Sequence, residues 1–218
     1  AIDLAMSAFT GLTTRAHLAQ VILSSTVPTV WVDNFYFRND STGPAPLAVF
    51  ADDYATGITF AAFGGSTNAL SVDAAEKHAG AASLKIEVPA GGYTGGALVA
   101  AQPKDLSTYD ALTFWAKASK AATLNGAGLG NDNGAALWAA ERNAIPLTTT
   151  WTKFVVPLPL ASKLTSVPGL FHFAEGADEG AYTIWIDDVQ YEALGAAALG
   201  APAPAIATES RSLEAGAT

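Results

Sequence analysis

Aromatic and polar side chains that could bind a sugar are concentrated in the middle of the chain. The segment GLGNDNGAALWAAERN (128–143) supplies an amide, an indole, a carboxylate and a guanidinium, at Asn133, Trp138, Glu141 and Arg142. A flat ring can cover the apolar face of a pyranose, and the polar groups can satisfy its hydroxyls. Tyr93, in GGYTGG, and Phe63, before a Gly-Gly turn, could add exposed rings. These residues predict a sugar-binding cleft, whereas aromatic residues of all-β proteins more often pack in the core.

Catalysis by paired carboxylates is the alternative for a protein that contacts sugars. A glycosidase holds two carboxylates about 5 to 10 Å apart and raises the pKa of one of them. Glu175 and Glu179 are close together in FAEGADEGAY, but we expect a loop of small residues to leave both solvated. The three histidines, His17, His78 and His172, are dispersed, and no G-x-S-x-G motif occurs. The sequence therefore predicts a chain that is not an enzyme.

Short strands are the elements that must position these residues. Apolar runs of strand length are separated by clusters of Gly, Pro, Asn and Asp: LAVFADDY (47–54), ITFAAF (58–63), SLKIEV (83–88), GALVAA (96–101), ALTFWAKA (111–118), TLNGAGLG (123–130), TKFVVPL (152–158), GLFHFA (169–174) and TIWIDDVQY (183–191). SLKIEV alternates apolar and polar residues, which is typical of a strand with one buried face. No helical stripe interrupts the pattern. It predicts an all-β fold, an antiparallel β-sandwich of the jelly-roll type.

One segment occurs twice. TVWVDNFYF at 29–37 returns as TIWIDDVQY at 183–191. An offset of about 150 residues is the size of one domain, so the chain is predicted to be part of a tandem array. We expect the closing strands of a truncated module at 1–40, a linker at 41–46, a complete module at 47–193, and an Ala- and Pro-rich tail or the start of a further domain at 194–218. The four tryptophans in strand-like surroundings are expected in the core: Trp31, Trp115, Trp151 and Trp185.

Composition excludes several classes of partner. The 218 residues carry a formal net charge of -9, and the basic residues are scattered, so no nucleic acid partner is expected. No run of about twenty apolar residues occurs, and no membrane span is expected. Cysteine is absent, which removes disulfides and thiolate chemistry. A charged fraction of only 14% is typical of an extracellular all-β domain, and any signal peptide would lie upstream.

The order of several segments resembles a known family. VFADDYATG, EKHAGAASLKIEV, DLSTYDALTFWAKAS, GLGNDNGAALW, IPLTTTWTKFVVPLP, GLFHFAEG and TIWIDDVQYE are similar to galactose-binding-like jelly rolls. These are the carbohydrate-binding modules appended to secreted glycoside hydrolases, notably of family 16, the laminarinase type. The resemblance spans residues 47 to 192. It implies a non-catalytic module, secreted or at the cell surface, that binds a polysaccharide such as a β-glucan and tethers a catalytic domain to it.

The same resemblance implies a structural calcium ion. Acidic side chains of the first and last strands and carbonyls of an early turn would bind it, which points to Asp52 or Asp53, Asp73, the carbonyl of His78, and Asp187. Calcium prefers six to eight oxygen ligands, which such groups supply. The alternative is that these aspartates are solvated charges at strand ends.

Assembly is a third interpretation of the chain. The strands expected within residues 1–40 belong to an incomplete sandwich, and unpaired strand edges recruit partners. They could complete the sheet of a second copy and give a homo-oligomer or a fibre. The alternative is a fragment that packs on the complete domain.

Overall fold

The computed structural model describes residues 43–66, 70–132, 134, 138–158 and 160–195. The predicted truncated module at 1–40, part of the 41–46 linker, Asn133 and the tail beyond residue 195 lie outside these ranges. The tandem arrangement and assembly through residues 1–40 therefore stay predictions.

Strands make up most of the described chain. In chain order they are β1 Leu47–Phe50, β2 Ile58–Ala62, β3 Leu70–Asp73, β4 Ser83–Val88, β5 Tyr93–Lys104, β6 Ala111–Ala118, β7 Ala122–Leu129, β8 Ala140–Leu147, β9 Thr152–Pro157, β10 Val167–Gly176 and β11 Tyr182–Glu192. One 3-10 turn lies at Ala161–Lys163, and no helix among the described residues is long and apolar enough to cross a membrane.

The strands form two antiparallel sheets. Sheet A has the order β3-β4-β11-β6-β9, with β1 also paired to β11, and sheet B has the order β2-β5-β10-β7-β8. Phe114 of sheet A meets Phe171 of sheet B edge to face, with ring centroids 5.4 Å apart, so the apolar faces of the two sheets pack against each other. The predicted antiparallel β-sandwich is confirmed.

Alternation along the strands supplies the core. In β4, Leu84, Ile86 and Val88 are buried as their spacing predicts, while Lys85 pairs with Glu87 on the outer face at 2.7 Å. Alternation also directs residues of the other strands to opposite faces, with register shifts in β5, β10 and β11. Each sheet therefore has an inner face that fills the core and an outer face that is free to carry other residue types.

The prediction that the tryptophans lie in the core is wrong for the three that are described. Trp115, Trp151 and Trp185 are partly exposed, and the buried residues of β11 are the neighbouring Ile184 and Ile186. Trp185 lies in register with Lys117, whose Nζ is 5.3 Å from the centroid of the indole ring. In β11 this alternation places Trp185 on the outer face of sheet A because Ile184 and Ile186 occupy the inner positions. Trp31 lies outside the described residues.

Arg142 is buried in the core, with only 1% of its surface exposed. It lies in register with the buried Ala127, and its guanidinium carbon is 5.2 Å from the centroid of the Phe154 ring in the opposite sheet. Its Nε and Nη2 have no hydrogen-bond partner among the described residues. Burial lowers the pKa of the Arg142 guanidinium to about 10. The sequence predicted this residue as a sugar ligand, but the structure places it on the inner side of sheet B.

Glu175 is also buried, which corrects the prediction of a solvated loop. It lies within β10, is 1% exposed, and accepts a hydrogen bond from the backbone N–H of Asn125 at 2.7 Å. Burial, which outweighs that hydrogen bond, raises the pKa of the Glu175 carboxyl, and the nearby Asp178 and Glu179 raise it further. Glu179 remains partly exposed and accepts a hydrogen bond from the backbone N–H of Thr123.

Replacement of Arg142 by Met is expected to increase the free energy of unfolding by about 1 kcal/mol. Methionine fills a comparable volume without a buried cation that lacks hydrogen bonds, and this gain exceeds the loss of the contact with the Phe154 ring. Arg142→Lys, which keeps a buried charge, should decrease the free energy of unfolding. Urea denaturation measures both, and an Arg142→Met protein several kcal/mol less stable than wild type would contradict the unpaired state of Nε and Nη2.

The raised pKa of Glu175 predicts a pH-dependent loss of stability. A carboxyl whose pKa is higher in the folded state than in the unfolded state favours folding fully below the unfolded value, about 4.3, and this contribution disappears as the pH rises through the folded value. Glu175→Gln cannot ionise, so the variant should gain stability relative to wild type as the pH is raised from about 4 to about 8. A stability difference that stays constant across urea titrations in this range would contradict the prediction.

Candidate functional site

The outer face of sheet B brings several of the predicted sugar-binding residues together. Paired residues of antiparallel strands share a face, and Leu98, Phe171 and Ala127 mark the inner one. The alternate residues form two rows across the sheet. The first row is Ala61, Ala97, His172, Gly128 and Glu141. The second begins at Phe63, which follows β2 and hydrogen-bonds Gly95, and continues through Gly95, Ala174, Gly126 and Asn143.

Small residues occupy the middle of this outer face. Five of them on the three central strands have no atom beyond Cβ: Gly95, Ala97, Ala174, Gly126 and Gly128. Gly95 is required by close approach, since a Cβ there would lie 2.8 Å from the carbonyl oxygen of Phe173 and 3.2 Å from the ring of Phe63. From β2 to β8 the sheet spans four strand spacings, about 19 Å. Of the six row positions on these three strands only His172 is larger, and we call the five small residues the floor.

Two aromatic rings stand at the β2 and β5 end of the floor. Phe63 lies over Gly95, and Tyr93, at the start of β5, is in register with Gly176 on the same face. The Tyr93 hydroxyl donates a hydrogen bond to the carbonyl of Gly64, and Gly65 next to it adopts a φ of 77°, which the tight turn requires. Both rings are partly exposed. The turn thus fixes the position of Tyr93 beside Phe63.

A polar pair extends from the central strand β10 to the edge strand β8. His172 Nε2 lies 3.3 Å from Glu141 Oε2, and the two side chains meet above Gly128, the residue between them in register. The His172 side chain is 5% exposed and that of Glu141 is 41% exposed. The hydrogen bond from His172 lowers the pKa of the Glu141 carboxyl. Glu141 is therefore an ionised hydrogen-bond acceptor at neutral pH.

Sequence reasoning missed His172 as a site residue, although a signal was present. In GLFHFAEG the histidine lies between two phenylalanines, and both phenylalanines are buried. Strict alternation in β10 would have placed His172 on the opposite face from Phe171 and Phe173. A polar residue at the centre of an outer face is a candidate ligand contact, whatever its distance in sequence from other histidines.

Two predicted ligands are separated from this face. Arg142 points into the core, as described above. Trp138 is partly buried against the core, and Lys163 Nζ lies 5.9 Å from the centroid of its ring. Phe63, Tyr93 and Glu141 are thus the predicted residues that share the outer face of sheet B, while Asn133 lies outside the described residues.

The predicted calcium ligand Asp187 binds backbone N–H groups. It is 1% exposed, and its Oδ2 accepts hydrogen bonds from the N–H groups of His78 and Ala79, at 2.8 and 3.2 Å. Its Oδ1 accepts a bond from Asp188 N–H at 2.8 Å. Burial, partly offset by these three donors, raises the pKa of the Asp187 carboxyl. Asp187 thereby ties β11 to the connection between β3 and β4, residues 74 to 82.

Asp52 and Asp73 hold the same connection at other points. Asp52 Oδ1 accepts hydrogen bonds from the N–H groups of Ala81 and Ala82. Asp73 accepts one from Ala75 N–H at 2.8 Å and one from Trp185 Nε1 at 2.9 Å, and the latter bond is the main cause of the lowered pKa of its carboxyl.

The side chains of Asp53 and His78 have contacts of their own. Asp53 accepts a bond from the N–H of its neighbour Tyr54, and the His78 ring stacks on Trp115 with centroids 3.8 Å apart. Among the described residues no three acidic or histidine side chains are arranged to hold a metal ion.

Comparisons with known proteins agree with this architecture. A model of the family described as carbohydrate binding domain 30 matches residues 47–193. A family 30 carbohydrate-binding module from a cellulosomal cellulase of Clostridium thermocellum is 19% identical, with a TM-score of 0.50 over 69% of this chain and 99% of that one. Another crystal structure of a family 30 module is 16% identical, with a TM-score of 0.51 over 69% of this chain and 99% of that one.

Part of an exo-β-agarase has a similar fold. It is 16% identical, with a TM-score of 0.50, and the match covers 67% of this chain and 25% of the agarase. No curated protein sequence matches the chain. At these identities the solved structures support the fold alone. The family model carries the assignment: since it spans well over half of the 218 residues, the chain belongs to the carbohydrate binding domain 30 family, whose domains are non-catalytic.

Proposed function

We propose that the outer face of sheet B binds a polysaccharide chain of the β-glucan type. The observation that carries the proposal is the difference in side-chain size between the middle and the two edges of the outer face of sheet B. Phe63 and Tyr93 stand at one end, the five glycines and alanines form the floor, and Glu141 stands at the other end, bonded to His172 of the central strand. A glycan needs this combination of flat apolar contacts and fixed polar groups.

The floor suits an extended sugar chain that crosses the strands. The row from Gly95 through Ala174 to Gly126 leaves room above three adjacent strands, about 10 Å of sheet. A pyranose at the aromatic end would rest its apolar face on Phe63 or Tyr93. A sugar at the far end would donate hydroxyl hydrogens to the Glu141 carboxylate and exchange hydrogen bonds with the exposed Asn143.

We further propose that the domain acts outside the cell as the sugar-binding part of a glycoside hydrolase. The low charged fraction of 14% supports an extracellular location. The matched module from Clostridium thermocellum belongs to a cellulase, which is a precedent for a domain of this family attached to a hydrolase of β-glucans. The attached enzyme would be of the laminarinase type, to which modules similar to this sequence are appended.

Removal of either exposed ring is expected to weaken glycan binding. Phe63→Ala and Tyr93→Ala should each lower the affinity about tenfold, equivalent to about 1.4 kcal/mol, because each loses an aromatic contact with a sugar face. Affinity gel electrophoresis in laminarin, lichenan, xylan and galactan measures the effect. Wild type should be retarded most by one of the two β-glucans, laminarin or lichenan.

Trp138→Ala is the matched control, because its ring lies off the floor and packs against the core. This variant should lose stability and keep most of its affinity. Wild-type migration that no glycan changes would refute the proposed function. If Trp138→Ala alone loses affinity while remaining folded, the binding face has been misplaced.

A structural calcium ion is a separate proposal. Its support is that Asp52, which follows the first strand, and Asp187, in the last strand, both accept hydrogen bonds from backbone N–H groups of residues 74 to 82. An ion at this point would add a link between the chain ends. Carboxylate oxygens that already accept N–H bonds would have to give up some of them to bind it.

Chelation tests the calcium proposal. With EDTA the melting temperature should fall by roughly 5 °C, because a bound ion stabilises only the folded state, and added calcium should restore it. Asp187→Asn should remove the sensitivity to EDTA, whereas Asp105→Asn, on an exposed turn away from this connection, should not. A melting curve that EDTA leaves unchanged in the wild type would eliminate the ion.

A further inference from the structure

The bond between His172 and Glu141 is unusual for an outer face. An imidazole that is 5% exposed has given up most of its contact with water, and its Nδ1 has no hydrogen-bond partner among the described residues. A buried polar nitrogen without a partner is costly. Against this cost, the described structure shows one polar contact of the His172 ring, the hydrogen bond to Glu141 Oε2.

The shape of the sheet makes this contact possible. His172 and Glu141 are separated by β7, so their Cα atoms are about two strand spacings apart, about 10 Å. Gly128 lies between them in register and has no side chain, so the two long side chains can meet above it. Gly128 therefore allows a residue of β10 to hold a carboxylate of the edge strand β8.

The charges around the floor are acidic. Glu141 lies in the first row. Asp178 lies beside Gly176, with an oxygen 3.3 Å from the position of a Cβ on Gly176. The nearest described cation on β8, Arg142, is turned into the core on the other side of the sheet. No described Lys or Arg lies in either row of the floor to balance these carboxylates.

We infer that Glu141, held in place by His172, makes the face selective for uncharged glycans over acidic ones. This inference rests on the proposed function and specifies the chemical class of its ligand. The Glu141 carboxylate accepts hydrogen bonds from the hydroxyl groups of a neutral sugar. A carboxylate or sulfate on the glycan would be repelled by Glu141, and its binding would leave Glu141 desolvated without a hydrogen-bond donor. Glu141 contacts the ligand, and His172 is a positioning residue that acts through it.

A matched pair of polymers separates charge from shape. Barley mixed-linkage β-glucan and its carboxymethyl derivative share one backbone and differ in charge. Wild type should bind the neutral polymer at least about tenfold more tightly at low salt, and the ratio should shrink as added salt screens the repulsion. Glu141→Gln keeps the size of the side chain and removes its charge, so the ratio should fall to about threefold or less.

His172 is tested by loss and rescue. His172→Ala should lower affinity for the neutral polymer about fivefold, because the carboxylate loses the group that holds it. His172→Gln, whose amide can still donate to Glu141, should recover most of that affinity. A purely structural role predicts instead that the affinities of both variants follow their melting temperatures, which are measured in parallel.

The outcomes are distinct. If wild type binds neither polymer nor the other glucans, the proposed function fails and this inference with it. If wild type binds the neutral polymer but Glu141→Gln has the same neutral-to-acidic ratio, only the selectivity is refuted. If His172→Gln is as weak as His172→Ala although both melt like wild type, the positioning role of His172 is refuted.

Discussion

In an antiparallel sheet, alternate side chains of each strand lie on opposite faces. In sheet B the two faces carry side chains of different size. The inner face has to fill the space against sheet A, which it does with Leu98, Phe171 and Phe173. The outer face of the three central strands carries glycine or alanine at five positions, and His172 between Phe171 and Phe173. Large residues on one side and mostly small ones on the other give a sheet that forms a wall of the core and has a low outer surface, the proposed binding face.

Two ionisable groups occupy inner positions of sheet B. Arg142 and Glu175 occupy inward positions of β8 and β10, and burial shifts the pKa of each toward the neutral form. The alternation that directs Glu141 outward directs its neighbour Arg142 inward. Of these two adjacent residues, Glu141 therefore lies on the outer face and Arg142 is enclosed in the core.

Sequence alone could predict much of the fold. Strands with clean alternation, such as β4, follow from one face being buried, and the antiparallel sandwich follows from many short strands. β8 was not predicted, because AERNAIPL combines charged residues with Pro146 and reads as a loop. Its position at the edge of sheet B accounts for both features, since an edge strand has one unpaired side where proline is tolerated.

The site was less predictable, for related reasons. Without β8 as a strand, the inward or outward direction of Glu141, Arg142 and Trp138 could not be assigned, and all three were grouped by nearness in sequence. Phe63 and Tyr93 were found because glycine turns flank them. His172 was missed because its partner Glu141 is 31 residues away in sequence and meets it only through the pairing of β10 with β7 and of β7 with β8.

Location of the bound glycan tests the central claim most directly. The amide resonances of a ¹⁵N-labelled domain can be followed during titration with a mixed-linkage glucan oligosaccharide. The largest shifts should fall at Gly95, Ala174 and Gly126, with smaller ones beside Glu141. Shifts concentrated instead on the outer face of sheet A, around Trp115 and Trp185, would contradict the assignment of the floor as the binding face.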